Sequence, residues 1–303
     1  MAHEETVYDA LDAAHGGEGQ WAFGTGFDDP LAGVDTTVPD GVDPADLGAY
    51  CLMLGDDALV LCQRLTEWAT RSPELEEEVA VANCALDLLG QARLLLARAG
   101  SCGVLGRSRG YATGSIPDED ALAYFRDADE FGNHHLVEVD GGDFAVTMVR
   151  LFIASAHRLA LFARLRDSRD PVLSAIATKG VHELSYHRDY AARWLLRLGD
   201  GTAESHRRAA AAVEVIWPLL ADLTTATEVE TRLAAAGVAV DPADVQDELR
   251  EVFGTVLERA ALSVPPWPSP RPSPGRSGRH TAEFAPLLAG LQRLAREHPA
   301  ATW

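Results

Sequence analysis

Residues 175–198, AIATKGVHELSYHRDYAARWLLRL, form the segment on which the prediction of the fold depends. Apolar and small side chains recur in it every three or four positions, the spacing of a helix with one buried face. Within it, HELSYH differs from the Glu-x-x-His ligand pair of di-iron four-helix bundles, because Leu184 stands three residues before His187. The predicted buried face consists of Ile176, Gly180, Leu184, His187, Ala191, Trp194 and Leu198.

The composition favours close-packed helices with an acidic surface. The chain has 303 residues, of which 47% are hydrophobic and 7% aromatic, and its formal net charge is −20. This length allows one large core or two modest ones, and the scarcity of aromatic residues disfavours extensive sheets. Because so many carboxylates repel phosphate groups, we expect neither a nucleic acid nor an anionic membrane as a partner.

The N-terminus and the cysteines predict a cytoplasmic protein. The first residues lack a basic region followed by an apolar stretch, and we expect no segment that spans a bilayer. The cysteines have no Cys-x-x-Cys spacing, and three of them fall on predicted core helices, so we interpret them as reduced thiols. They are Cys51, Cys62, Cys84 and Cys102.

Two antiparallel pairs of long helices are predicted. The first pair covers residues 46–72 and 73–100, and the second covers residues 143–166 and 175–198. A long crossover between two such pairs is typical of ferritin-like proteins. The fold class is therefore all-α, a ferritin-like four-helix bundle with additional C-terminal helices. The predicted buried stripe of the second helix is Val79, Ala82, Leu86, Leu89 and Leu96.

Three regions follow from this pattern. Residues 1–45 form a Gly/Asp-rich extension, residues 46–262 the helical bundle, and residues 263–303 a Pro/Arg-rich loop with a last helix. Large apolar side chains in the extension leave two interpretations open, an arm that lies along the body or a disordered tail. These side chains are Trp21, Phe23, Phe27 and Leu31.

A di-iron bundle needs one carboxylate from each of two helices and a Glu-x-x-His pair from each of the other two. The corresponding positions here hold Leu184 with His187, Leu88 with Gln91, Ala58, and Ala154 or Ser155. Most of these side chains cannot bind iron, so the sequence predicts a bundle that has lost its metal. Buried polar groups need partners, and a hydrogen-bonded cluster is expected in place of the iron. Its predicted members are Asp57, Asp87, Gln91, Glu183 and His187.

Two alternatives remain open at this point. A shifted two-metal site would make the chain itself an oxygenase or oxidase, because Glu183 and His187 share one helix face. Its ligands would be Asp57, Asp87, Glu183 and His187, with His157 nearby. A ferritin-like iron store is the weaker alternative, since it needs the carboxylates that Ala58, Leu88 and Leu184 do not supply.

Six stretches occur together in one order along the chain. They are residues 49–65 (AYCLMLGDDALVLCQRL), 86–93 (LDLLGQAR), 125–137 (FRDADEFGNHHLV), 142–145 (GDFA), 168–171 (SRDP) and the closing segment that begins with GRHT at residue 278. In this combination the chain resembles the C-subunit family (PaaC) of bacterial phenylacetyl-CoA 1,2-epoxidases. The resemblance covers residue 46 to the end, and the first 45 residues look like an addition.

That resemblance implies a ferritin-like subunit without iron of its own. The family's complex contains a catalytic di-iron A-subunit, a B-subunit, and a reductase subunit that passes electrons from NADPH through a flavin and an iron-sulfur centre. It uses O2 to epoxidise the ring of phenylacetyl-CoA. This chain would therefore be a structural subunit that holds no cofactor.

The resemblance also implies that two short segments lie near bound coenzyme A at the border with the A-subunit. Gly132 would let the backbone approach a ligand closely, and the Asn133 amide can form hydrogen bonds. Phosphates require cations, for which the candidates are Arg126, Arg232, Arg276 and Arg279. The predicted substrate contacts are Glu130, Phe131, Gly132, Asn133, Thr231, Arg232 and Leu233.

Overall fold

The computed structural model of the chain describes residues 31–104 and 116–299. Within these residues the protein has ten α-helices and no strand, which confirms the predicted all-α class. Helix α1 (Pro44–Ala69) and helix α2 (Leu75–Ser101) pack along each other as an antiparallel pair. Pro44 begins α1 directly after Asp43, whose carboxylate accepts a hydrogen bond of 2.9 Å from the Ala45 amide. This N-cap fixes where α1 starts.

Two short helices, α3 (Asp118–Tyr124) and α4 (His135–Glu138), precede the second long pair. That pair consists of α5 (Phe144–Leu165) and α6 (Pro171–Gly199). Asp170 caps α6 by accepting a hydrogen bond of 2.8 Å from the Leu173 amide, and it also forms a fully buried ion pair with Arg98 of α2. The start of α6 is thereby fixed against the end of α2.

The close approach of α5 and α6 depends on a glycine. A methyl group at Gly180 would lie 2.7 Å from ring carbons of Phe162, so a larger residue would push the helices apart. Helix α6 also packs against α2, and Arg158 of α5 donates a hydrogen bond of 2.9 Å to the Leu54 carbonyl of α1. The four long helices therefore enclose one core, as the predicted bundle requires.

Four further helices follow the bundle: α7 (Ala203–Ile216), α8 (Glu228–Ala235), α9 (Gln246–Arg259) and α10 (Phe284–Glu297). The loop between α9 and α10 folds back onto α1, where Arg276 donates hydrogen bonds to the Met53 carbonyl (3.0 Å) and the Asp57 carboxylate (2.7 Å). Helix α10 packs on α1 and α3, and Phe284 lies in the common core. Of the predicted apolar N-terminal side chains, Leu31 is buried, and the other three lie outside the described residues.

The predicted register of α6 agrees with the structure, whereas that of α2 is wrong in most positions. On α6 the first five predicted positions, from Ile176 to Ala191, are buried, whereas the last two, Trp194 and Leu198, are half-buried. On α2, Val79, Leu86 and Leu89 are 52%, 62% and 40% exposed. Helix α2 carries two apolar faces, each with spacings of three and four residues. The face that contacts the core is Val81, Cys84, Ala85, Leu88, Gln91, Ala92, Leu95 and Leu96.

The expectation that no segment could span a bilayer needs correction. By length and composition alone, Leu75–Ser101 and Phe144–Leu165 are apolar enough to do so. The apolar stretch of the second is 89% buried inside the protein and that of the first is 50% buried, and core helices of soluble proteins pass the same test. Packing inside the bundle explains the composition of α5. Three of the four cysteines are buried and the fourth is half-buried, and none of the four is in a disulfide.

Candidate functional site

The interior of the bundle contains a cavity of about 30 Å³ where the ligand positions were expected. Leu88 and Ala154 line this cavity, and Ala58 and Leu184 are buried in the same core. None of these four side chains can bind a metal. The sequence-based assignment of the ligand positions therefore agrees with the packing of the helices. The polar residues around the cavity are Asp57, His134, His157 and Arg158.

Arg158 brings a positive charge into this interior. Its Nε donates a hydrogen bond of 2.7 Å to Oε1 of Gln91, and its Nη1 donates one of 2.9 Å to the Leu54 carbonyl. The guanidinium lies 4.5 Å from the ring centroid of Phe162, a distance at which cation–π attraction operates. Burial lowers the pKa of Arg158 to about 10, so the group stays charged at neutral pH. A fixed cation here repels a metal ion.

Gln91 and Glu183 complete this network between α2 and α6. Nε2 of Gln91 donates a hydrogen bond of 2.8 Å to Oε2 of Glu183, and Lys179 lies 3.6 Å from the other carboxylate oxygen. The Gln91 amide thus accepts from Arg158 and donates to Glu183. Protein groups satisfy the hydrogen bonds of both the amide and the carboxylate, so neither side chain is left free to bind a metal.

His187 and Asp87 form a second pair across the same two helices. Nε2 of His187 lies 3.0 Å from Oδ2 of Asp87, and the histidine is fully buried while the Asp87 side chain is 38% exposed. Burial lowers the pKa of His187, although the hydrogen bond with Asp87 acts in the opposite direction. The pair therefore connects the core to the surface at the contact between α2 and α6.

Asp57 does not belong to this network, which corrects the predicted cluster of five. Its carboxylate accepts hydrogen bonds from the His134 amide (2.8 Å) and from Arg276 (2.7 Å). The neighbouring Asp56 is likewise occupied, by a buried ion pair with Arg126. Of the predicted cluster, Gln91 bonds to Glu183 and Asp87 to His187, whereas Asp57 lies outside both pairs.

The shifted two-metal site is not assembled. Asp57 is bound to Arg276, and Asp87 and His187 bind each other, so the proposed ligands do not converge on one point. His157 is also engaged, with its Nε2 3.0 Å from the Leu223 carbonyl, and burial lowers its pKa to about 4. Within residues 31–104 and 116–299, no three His, Cys, Asp or Glu side chains converge as metal ligands. The residues present do not fit a di-iron centre.

The first segment predicted to contact coenzyme A, residues 130–133, crosses the surface of α1. Its Gly132 amide donates a hydrogen bond of 2.8 Å to Asp56, and Asn133 is fully buried and donates to Glu138 (2.8 Å). Phe131 is also buried. The half-buried Glu130 is the most accessible polar group of this segment.

The second segment, residues 231–233, lies on α8 near the start of α1. Arg232 forms a two-pronged ion pair with Asp46, with distances of 2.7 and 2.8 Å, and Thr231 is exposed while Leu233 is buried. Among the other candidate cations, Arg126 and Arg276 are enclosed in ion pairs with Asp56 and Asp57. Arg279 is exposed. Arg232 and Arg279 are thus the candidates that a ligand could reach.

The sequence-based prediction missed Arg158. A signal was present, because Arg158 is a lone cation in an apolar stretch of α5, and such a residue needs a buried partner. The role of Arg276 was also missed, because it was a candidate for binding phosphate and instead pairs with Asp57, 219 positions before it. No local pattern connects two residues at that separation.

Comparisons with known proteins agree with the residues that carried the resemblance. A sequence profile described as phenylacetic acid catabolic protein matches residues 35–303. The chain is also similar to a protein of Escherichia coli (strain K12) that is named as the C-subunit of 1,2-phenylacetyl-CoA epoxidase. The two are 42% identical over 258 residues, which cover 85% of this chain and 99% of that protein. The matched residues of the profile include both long helix pairs and the last helix.

Proposed function

The chain belongs to the phenylacetic acid catabolic protein family, and we propose that it is the non-catalytic subunit of a di-iron monooxygenase that epoxidises the ring of phenylacetyl-CoA. The observation that carries the non-catalytic role is Arg158. Its guanidinium and the apolar Leu88 and Leu184 stand in the interior where iron ligands would be required. A subunit of this kind supports a related bundle that holds the metal.

The proposal assigns the remaining components of the reaction to other chains. A catalytic A-subunit would hold the di-iron centre that activates O2. A B-subunit and a reductase subunit would complete the complex, the latter supplying electrons from NADPH through flavin and iron-sulfur groups. The name of the 42% identical relative, a C-subunit, supports a place in such an assembly. A cytoplasmic location accords with the use of a coenzyme A thioester and NADPH.

Reconstitution from separately purified subunits tests the non-catalytic role. We expect this chain with the reductase alone to give no epoxide, and addition of the catalytic subunit to restore turnover. Glu183→Gln in this chain should leave kcat within about twofold of wild type, because Glu183 contacts only Gln91 and Lys179 of this chain among polar side chains. A loss of kcat of about a thousandfold, with the folded complex intact, would instead identify Glu183 as a catalytic group.

We further propose that the accessible residues of the two segments, Glu130, Thr231 and Arg232, face coenzyme A at the border between the two subunits. Arg232 is held by Asp46 on the surface and could exchange that carboxylate for a phosphate. Arg232→Ala should raise KM for phenylacetyl-CoA several-fold at nearly constant kcat. Arg193→Ala, at an exposed position of α6, is the control. An unaltered KM in Arg232→Ala would remove this segment from the substrate site.

A further inference from the structure

Helix α2 carries an apolar seam on the side that faces away from the core. The seam runs at intervals of four, three, four and three residues, the spacing by which one helix packs on another in a coiled coil. Four of its members are strongly exposed: Leu75 at 70%, Val79 at 52%, Leu86 at 62% and Leu89 at 40%. The outer seam consists of Leu75, Val79, Ala82, Leu86 and Leu89, of which Ala82 is half-buried and also packs against the core.

Helix α6 carries a further exposed aromatic side chain and packs against α2. Tyr186 is 52% exposed and stacks on Tyr190, with ring centroids 6.2 Å apart. Tyr190 and Trp194 both donate hydrogen bonds to Glu77, which lies on the side of α2 away from the outer seam, so α6 packs on that side. Burial raises the pKa of the Tyr186 phenol, and the neighbouring Cys84 and Glu77 act in the same direction. Several exposed apolar side chains on one helix face mark an interaction site more often than scattered exposed residues do.

The charges beside the outer seam indicate which occupant it fits. In the heptad defined by the seam, Glu76 and Glu78 occupy the two flanking positions where coiled-coil partners carry complementary charges. Both glutamates are exposed, and no ion pair is seen for either within the described residues. A second copy of this chain would add its own net charge of −20, so the flanks favour a different chain with basic residues.

A glycine lies at the edge of the same surface. Gly90 follows Leu89 in the middle of α2, and a methyl group added there would meet no atom within 4 Å. Glycine destabilises a helix interior relative to alanine, and the packing of this chain does not require it at this position. Gly254 and Gly290 are equally open. Gly90 differs from them in lying beside the outer seam, where the absence of a side chain permits a second helix to approach closely.

We propose that the outer seam, with Gly90, is the docking face for an amphipathic helix of the catalytic subunit, whose apolar stripe is flanked by lysine or arginine. This inference rests on the proposed function and adds to it the face and the chemistry of the contact. It also explains why α2 has two apolar faces: one packs against the chain's own core and the other against the partner.

The test measures the affinity of the full-length chain for the purified catalytic subunit. Leu86→Glu should weaken binding at least about tenfold, because it places a carboxylate in the centre of the apolar contact. Val215→Glu, at a 59% exposed position of α7, is the matched control and should leave the dissociation constant unchanged. Both substitutions are at exposed positions, and equal melting temperatures would show that the fold is intact. Glu78→Lys should also weaken binding, with a larger effect at low salt.

Each other outcome has a defined meaning. Wild-type affinity in Leu86→Glu would overturn the docking face, as would an equal loss in Val215→Glu. If the wild-type chain shows no affinity for the catalytic subunit, the proposed function fails first. If the isolated chain forms a dimer that Leu86→Glu dissociates, the occupant is a second copy and the proposed partner is wrong.

Gly90→Ala provides an independent test, because it should stabilise the isolated chain and weaken its association with the catalytic subunit. Alanine should raise the melting temperature of the isolated chain by roughly 1–3 °C, because it is the better helix former. The same change should weaken association several-fold, since the added methyl group meets the partner helix. Gly254→Ala on α9 should give the first effect without the second. Unchanged association in Gly90→Ala would contradict close approach at this position.

Discussion

Helix α2 has two apolar faces of similar composition and opposite environments. On the inner face, Leu88 and Leu95 are fully buried, and Gln91 joins Arg158 to Glu183. On the outer face, Leu86 and Leu89 are 62% and 40% exposed. The inner face closes the interior of the bundle, and the outer face remains open. Apolar surface left open in this way is suited to association with another chain.

The same substitution on the two faces should give the largest contrast. Leu95→Glu would bury an unpaired carboxylate between α1 and α2, and we expect it to destabilise the protein by more than about 4 kcal/mol. Leu89→Glu should change the free energy of unfolding by less than about 0.5 kcal/mol, because the side chain is exposed. Chemical denaturation of both variants measures the difference. Similar losses of stability would show that the outer face is packed in the isolated chain.

The second contrast concerns arginines. Arg158→Ala removes the donor to Gln91 and opens a cavity beside Phe162, so we expect a loss of about 3 kcal/mol. Arg193→Ala, exposed on α6, should have an effect below about 0.5 kcal/mol. Wild-type stability in Arg158→Ala would mean that the guanidinium does not hold the interior together.

The third contrast is the response to acid. Burial lowers the pKa of His157 to about 4 from its ordinary value of 6.5. As the pH falls below 6.5, the unfolded chain takes up a proton that the folded chain does not, so stability decreases until about pH 4. The maximal loss from this group is about 3 kcal/mol. Burial shifts the pKa values of His134 and His187 in the same direction, which adds to the loss.

Unfolding measured from pH 7 to pH 4 checks this prediction. His157→Gln should reduce the loss of stability over this range, because the neutral amide can still donate to the Leu223 carbonyl. His182→Gln, exposed on α6, is the control. If His157→Gln retains the full pH dependence, protonation of His157 is not its source.

The sequence predicted those parts of the fold for which one helix face alone is apolar. Helix α6 is such a case, and its spacing, including Gly180, identified the buried face. Helix α2 is not, because periodicity shows that a face is apolar without showing whether it meets the chain's own core or another chain. The exposed Leu86 and Leu89 are thus the positions where the prediction was wrong, and they also define the outer seam.

The sequence predicted which residues stand at the ligand positions of the bundle. It did not predict the contacts between residues that lie far apart in the chain. The positions of Leu88 and Leu184 followed from counting along antiparallel helices. The bond between Asp57 and Arg276 could not be foreseen, because it depends on how the loop after α9 folds back onto α1. Tertiary packing decides which charged residues pair across long sequence separations, and the five residues of the predicted cluster therefore fall into three groups: Gln91 with Glu183, Asp87 with His187, and Asp57 with Arg276.

Metal analysis of the purified chain tests the central claim most directly, namely that this bundle supports chemistry performed elsewhere. With Leu88 and Leu184 at ligand positions and Arg158 in the interior, we predict far less than one iron or zinc per chain after expression in iron-supplemented medium. Mass spectrometry of the elements gives the number. Two irons per chain, lost on Glu183→Gln or His187→Gln while the fold persists, would contradict the claim and make this chain a metal-binding oxygenase subunit.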